Sequence, residues 1–160
     1  MYRFFLAAVD VVPSSVALLP LFFVLYWTAY HRDLRKSVLY LLFCLYLSAV
    51  FSLVGIPNVT YFQPEVNLNL VPFAGMRKDL KNSLLNVLLF VPFGVFLPLL
   101  WEKFRKPSFV AVYGFGLSLS IELLQMLTFR ATDVNDLITN TCGTLLGFVV
   151  IKPLLKRFLP

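Results

Sequence analysis

The sequence predicts an all-α, polytopic integral membrane protein, with about five transmembrane helices forming a small bundle in a single membrane domain. Three observations lead there. Hydrophobic residues make up 59% of the 160-residue chain, charged residues only 14%, and the mean hydropathy is +0.83. A soluble fold is about half apolar and about a quarter charged, so this chain lacks the polar surface for one. The apolar residues gather into runs of bilayer-spanning length, roughly 20 residues for a helix. The basic residues fall in short clusters between those runs. A soluble enzyme is excluded, and so is intrinsic disorder, whose signature is low hydrophobicity.

The first apolar run extends from about Ala7 to Tyr30. It is long and has no clear small-residue cleavage site, so it reads as a retained helix rather than a secretory signal. Asp10 and Pro13 place its start near Val11 or Val12. The second run covers Ser37 to Gly55, the third Asn82 to Leu100 and the fourth Ser108 to Thr128. The fifth begins near Asp136 and ends near Leu155. The connection from Ile56 to Lys81 is semi-polar and contains proline, and is expected to lie partly in the membrane interface. No internal repeat or low-complexity tract is visible.

Fourteen Lys and Arg stand against eight Asp and Glu, a net charge of +6. Their clustering between apolar runs is a topology signal and argues against nucleic acid as a partner. Five spans put the termini on opposite sides. One side collects Arg3, Arg77, Lys78, Lys81 and Arg130, and the other collects the remaining nine basic residues. The excess predicts a cell-membrane protein with an extracytoplasmic N-terminus and a cytoplasmic C-terminus. Cys44 and Cys142 lie in apolar runs and read as buried, unpaired thiols. His31, beside Arg32 at a span end, has too few partners for a catalytic role.

Polar groups inside spans are costly and tend to mark function. Here they form stripes. Asn82, Asn86, Phe90 and Gly94 share one face of the third helix at steps of four. Gly114, Ser118, Glu122 and Gln125 share a face of the fourth, and Asp136, Asn140, Gly143 and Gly147 a face of the fifth. The stripes should face one another, with the glycines admitting close backbone approach. Antiparallel neighbours bring Asn82, Asn86, Glu122, Gln125, Asp136 and Asn140 to one membrane side. The connection with Arg130, Asp133 and Asn135 joins them, as does the loop segment from Asn67 to Phe73. On the positive-inside reading this side faces outward.

Each group has more than one reading. Pro92 removes a donor and should bend or open its helix, either for packing or to free a carbonyl into a polar cavity. Arg130 either neutralises a buried carboxylate or holds an anionic ligand. Asp133 suits a helix N-cap. The run Asp133 to Asp136 with Glu122 could hold a hard cation, but the spacing is no specific metal signature, so neither metal nor cofactor is assigned. Glu122, Asp133 and Asp136 are the candidates for acid–base work. Asn69, Asn86, Gln125, Arg130 and Asn140 are the candidate binding residues. No Ser-His or Cys-His nucleophile set occurs on this face.

These residues resemble a known family. Asn69-Leu70-Val71-Pro72-Phe73, Asn86-Val87-Leu88-Leu89-Phe90-Val91-Pro92-Phe93-Gly94, Glu122-Leu123-Leu124-Gln125, and Arg130 followed by Thr132 to Thr141 and Gly143 are similar to the VanZ family. Each motif is weak alone, but the ordered set is specific and covers residues 67–147. Where the family commonly has glycine before the arginine, this chain has Phe129. The resemblance implies a polytopic membrane protein of the bacterial cell envelope and, for the family's namesake, low-level resistance to teicoplanin-type lipoglycopeptides. It implies no reaction.

Three functions follow as expectations. In the first, the outward polar cluster binds the head group of a membrane lipid or a lipid-linked cell-wall precursor, with Arg130 on phosphate. In the second, a small membrane enzyme acts on a phospholipid or polyprenyl-phosphate substrate, with Glu122 or Asp136 as general base. In the third, the protein is a transporter or channel, which five short spans without a repeat could form only as an oligomer.

Overall fold

The computed structural model describes residues 34–53, 68–69, 71–73, 80–125 and 132–158. Four helices dominate: α1 (Leu34–Leu53), α2 (Leu80–Leu100), α3 (Pro107–Gln125) and α4 (Val134–Phe158). Each is long and apolar enough to cross a membrane. The expected spans from Ser37, Asn82, Ser108 and Asp136 correspond to these four. The run from Ala7 to Tyr30 lies outside the described residues.

The chain forms two compact units, residues 1–59 and 60–160. In the first, α1 buries Ser37, Tyr40, Phe43, Ser48 and Val50 and exposes Val38, Leu41, Leu42 and Leu45. Phe43 stacks on Tyr46, with ring centroids 6.4 Å apart.

In the second unit, α4 packs against both α2 and α3, and its larger contact is with α2. A 3-10 turn, Glu102–Arg105, reverses the chain between α2 and α3. Phe104 plugs that turn and meets Trp101 and Tyr113 edge-on, while Lys103 lies over the Phe104 and Tyr113 rings. Trp and Tyr with a basic neighbour suit a membrane interface. The outer faces carry Leu84, Leu88, Val112, Phe115, Val149 and Val150, all exposed. Apolar outside and polar inside is the pattern of a helix bundle solvated by lipid. Cys142 belongs to this outer surface and is exposed, which corrects the expectation of a buried thiol, and Cys44 is half-buried.

Glycine sets the helix spacing. A Cβ on Gly143 would run into the Val87 carbonyl, one on Gly147 into the Val91 carbonyl, and one on Gly94 into the Thr144 carbonyl. At these three positions α2 and α4 touch backbone to backbone. Pro92 and Pro98 both lie within α2, which runs as helix without interruption from Leu80 to Leu100.

A two-residue parallel bridge completes the unit. β1 (Leu68–Asn69) pairs with β2 (Thr132–Asp133), Leu68 opposite Thr132 and Asn69 opposite Asp133. It ties the loop before α2 to the start of α4.

Candidate functional site

The order of the helices fixes which polar residues meet. The start of α2, the end of α3 and the start of α4 lie on one side of the unit, and the bridge closes over them.

Asp133 is the hub. It precedes α4 and caps it: the Asn135 backbone N–H donates to Asp133 Oδ1 at 2.8 Å. Aspartate suits this position because it accepts from an otherwise unpaired first-turn N–H and favours the positive end of the helix. Asn69 Nδ2 donates to Asp133 Oδ2 at 3.1 Å. The Asp133 backbone N–H in turn donates to Glu122 Oε2 at 3.2 Å. Three chain segments thus meet on one residue. Both Asp133 oxygens already accept protein hydrogen bonds, an arrangement suited to capping and bridging rather than proton transfer.

Glu122 is only 2% exposed. A buried carboxylate is costly unless hydrogen bonds stabilise it. Asp136, one residue past Asn135 in the first turn of α4, accepts from Asn86 Nδ2 at 2.7 Å and so joins α4 to α2. Gln125 is buried at the end of α3. Asn140 lies one helical turn deeper than Asp136, and its Nδ2 donates to Ser118 Oγ at 2.9 Å. Arg130 lies outside the described residues.

Of the sequence candidates, the structure brings Asn69, Glu122 and Asp133 into one linked set and joins Asn86 to Asp136 beside it. Asn140 belongs to the layer beneath. Asn82, which shares the Asn86 stripe, is exposed. Asn135 and Phe73 belong to the side the sequence marks as polar, but no sequence signal joins them to each other. The Phe73 N–H donates to Asn135 Oδ1 at 2.6 Å, and Phe73 adopts a positive φ of 63°. A non-glycine residue there is uncommon and strained. Asn135 is buried, so its side chain pins the Val71–Pro72–Phe73 turn to α4 while the turn's own side chains stay exposed. The buried asparagine beside a helix cap was the available signal, but nothing local pointed to a partner 62 residues away.

These features define a multi-pass helical membrane protein that gathers its intramembrane polar groups at one end of a three-helix unit. Comparison with known proteins gives the family. The VanZ/LLP1 family profile matches residues 37–156, so the chain belongs to the VanZ/LLP1 family. Over 84 residues it is 38% identical to Protein VanZ of Enterococcus faecium, a stretch covering 51% of this chain and 50% of that protein. The chain therefore matches about half the length of this curated relative. No solved structure matches.

Proposed function

We propose that this protein is a cell-envelope factor whose polar cluster binds the head group of a lipid or lipid-linked cell-wall precursor at the outer membrane face. Its consequence is reduced susceptibility to teicoplanin-type lipoglycopeptides. One observation carries the reading: Asn69 and Glu122 bond to Asp133, and Asn86 bonds to Asp136 three residues further on, all at one end of a unit whose helices are apolar on their outer faces. Intramembrane ionisable residues point to function by default. Family membership supports the link to the envelope. The outward orientation rests on the distribution of basic residues. Arg130, three residues before Asp133 in sequence, is the cation for an anionic head group, with Asn86 and Gln125 as neutral polar partners.

Expression in a glycopeptide-sensitive bacterium tests this reading. Teicoplanin susceptibility is measured beside membrane protein level for wild type, Glu122→Gln, Arg130→Lys, Asp133→Asn and Asp136→Asn. Wild type is expected to protect. Arg130→Lys and Asp136→Asn are expected to lose protection at normal protein level. Asp133→Asn should lower the protein level, because its new amide would face the Asn69 amide donor. Protection that survives all four substitutions at normal level would reduce the cluster to a structural device.

A further inference from the structure

Asn140 is 5% exposed in the contact between α3 and α4. Its amide nitrogen is spent on Ser118 Oγ, and its backbone carbonyl accepts from Thr144 Oγ1 at 2.9 Å. Its side-chain oxygen is buried and has no hydrogen-bond partner among the described residues. Exchanging the amide oxygen and nitrogen does not cure this. The Ser118 hydroxyl would then donate to the oxygen, and the nitrogen would be stranded instead. The nearby Thr144 hydroxyl is committed to the Asn140 carbonyl, and Gly114, which faces Thr144, has no side chain to offer. A buried polar atom left in this state is costly and calls for an explanation.

The sign of the leftover atom matters. Asn69, Asn86 and Asn140 each place the amide nitrogen on a protein acceptor: Asp133, Asp136 and Ser118 respectively. What remains is an acceptor, so the missing partner is a donor. A cation this deep would be strongly disfavoured, whereas a neutral hydroxyl would not. Asn140 lies four residues beyond Asp136, about 6 Å along the helix, and its buried oxygen is met only by a group that enters between α3 and α4. The geometry points to a ligand whose head group donates a hydroxyl to Asn140 Oδ1, that is, a polyol or sugar head group rather than a bare phosphate. This inference rests on the head-group reading above and narrows its ligand class.

Matched lipid pairs test it with the purified full-length protein in detergent. Phosphatidylglycerol is compared with phosphatidylmethanol, which has the same charge but no free hydroxyl. Monoglucosyl diacylglycerol is compared with its permethylated analogue. Binding is read by native mass spectrometry and by the shift in thermal unfolding. The hydroxylated member of one pair is expected to bind roughly fivefold to tenfold tighter, the scale of one hydrogen bond. The pair that discriminates identifies the hydroxyl as glycerol or sugar. In Asn140→Leu the preference should vanish while the methylated lipid still binds. Equal binding within both pairs overturns the hydroxyl inference and leaves head-group binding intact. A preference that persists in Asn140→Leu overturns it as well, and reduces Asn140 to a structural residue. If none of the four lipids binds, the head-group reading falls and the inference with it. The wild-type comparison does not depend on the variant folding.

Discussion

The two faces of α4 solve the same problem by different means. Toward α2 the contact is backbone on backbone, at Gly143, Gly147 and Gly94. Toward α3 it is side chain on side chain, through Asn140 with Ser118 and Thr144 against Gly114. Without a hydrophobic force between helices in lipid, close packing and interhelical hydrogen bonds are the available attractions. One face uses mainly the first and the other adds the second. The α2 face is rigid because its colliding atoms belong to main chain. At the α3 face the colliding atoms belong to a side chain, which can turn, and that face holds the one buried side-chain acceptor that lacks a partner among the described residues.

The largest expected effect breaks this contrast directly. Gly143→Ala, Gly147→Ala and Gly94→Ala each drive a methyl into a carbonyl of the facing helix. The helices must separate, and each substitution is expected to cost about 3 kcal/mol as an overpacking change. Gly114→Ala meets only the Thr144 side chain, with nearest atoms at 2.6 to 2.8 Å. That side chain can turn at the expense of its bond to the Asn140 carbonyl, so the cost should be about 1 kcal/mol. Unfolding of the detergent-solubilised variants checks the ranking. Equal losses at Gly114 and Gly143 would show that the two faces are equally rigid.

A smaller effect lies at the mouth, where both faces become polar. Asn86→Leu removes the donor that Asp136 Oδ1 accepts at 2.7 Å. Loss of a charge-assisted bond is expected to cost about 2 kcal/mol. Ser118→Ala removes only the acceptor for the Asn140 amide and should cost about 1 kcal/mol. A double-mutant cycle of Asn86→Leu with Asp136→Asn should show coupling, because the two residues touch. Additive effects would argue that the pair contributes no specific link between α2 and α4.

How much of this was legible follows from range in sequence. The stripe from Gly114 to Gln125 is buried at all four positions, as a helical spacing of polar and small residues in an apolar run implies. The capping role of Asp133 was also readable, because it is decided within two residues. The Asn69–Asp133 and Phe73–Asn135 bonds span 64 and 62 residues and leave no local trace. Nor could the spacing show which way each amide points. Asn86 and Asn140 are candidate binding residues by sequence, and the structure shows both amide nitrogens already placed on protein acceptors. The second span and the last three were legible because bilayer thickness sets their length, whereas the bridge of β1 and β2 is too short to have a pattern.

The smallest effect belongs to the turn that joins the two helices facing α4. There Arg105 and Glu102 pair at 3.4 Å with Glu102 85% exposed. An ion pair this open is screened and must restrain two long side chains, so Glu102→Ala should shift stability by no more than about 0.5 kcal/mol. The buried ring of Phe104 is the anchor on physical grounds: it packs on Tyr113 with centroids 4.7 Å apart, and its neighbours cannot be replaced by solvent. Thermal unfolding of Glu102→Ala in low and high salt separates the two contributions. An unchanged, salt-independent transition places the turn's stability in its aromatic contacts. A salt-sensitive loss well above that bound would mean that the charges at this end work as a network, and that the reversal between α2 and α3 depends on electrostatics as the polar mouth does.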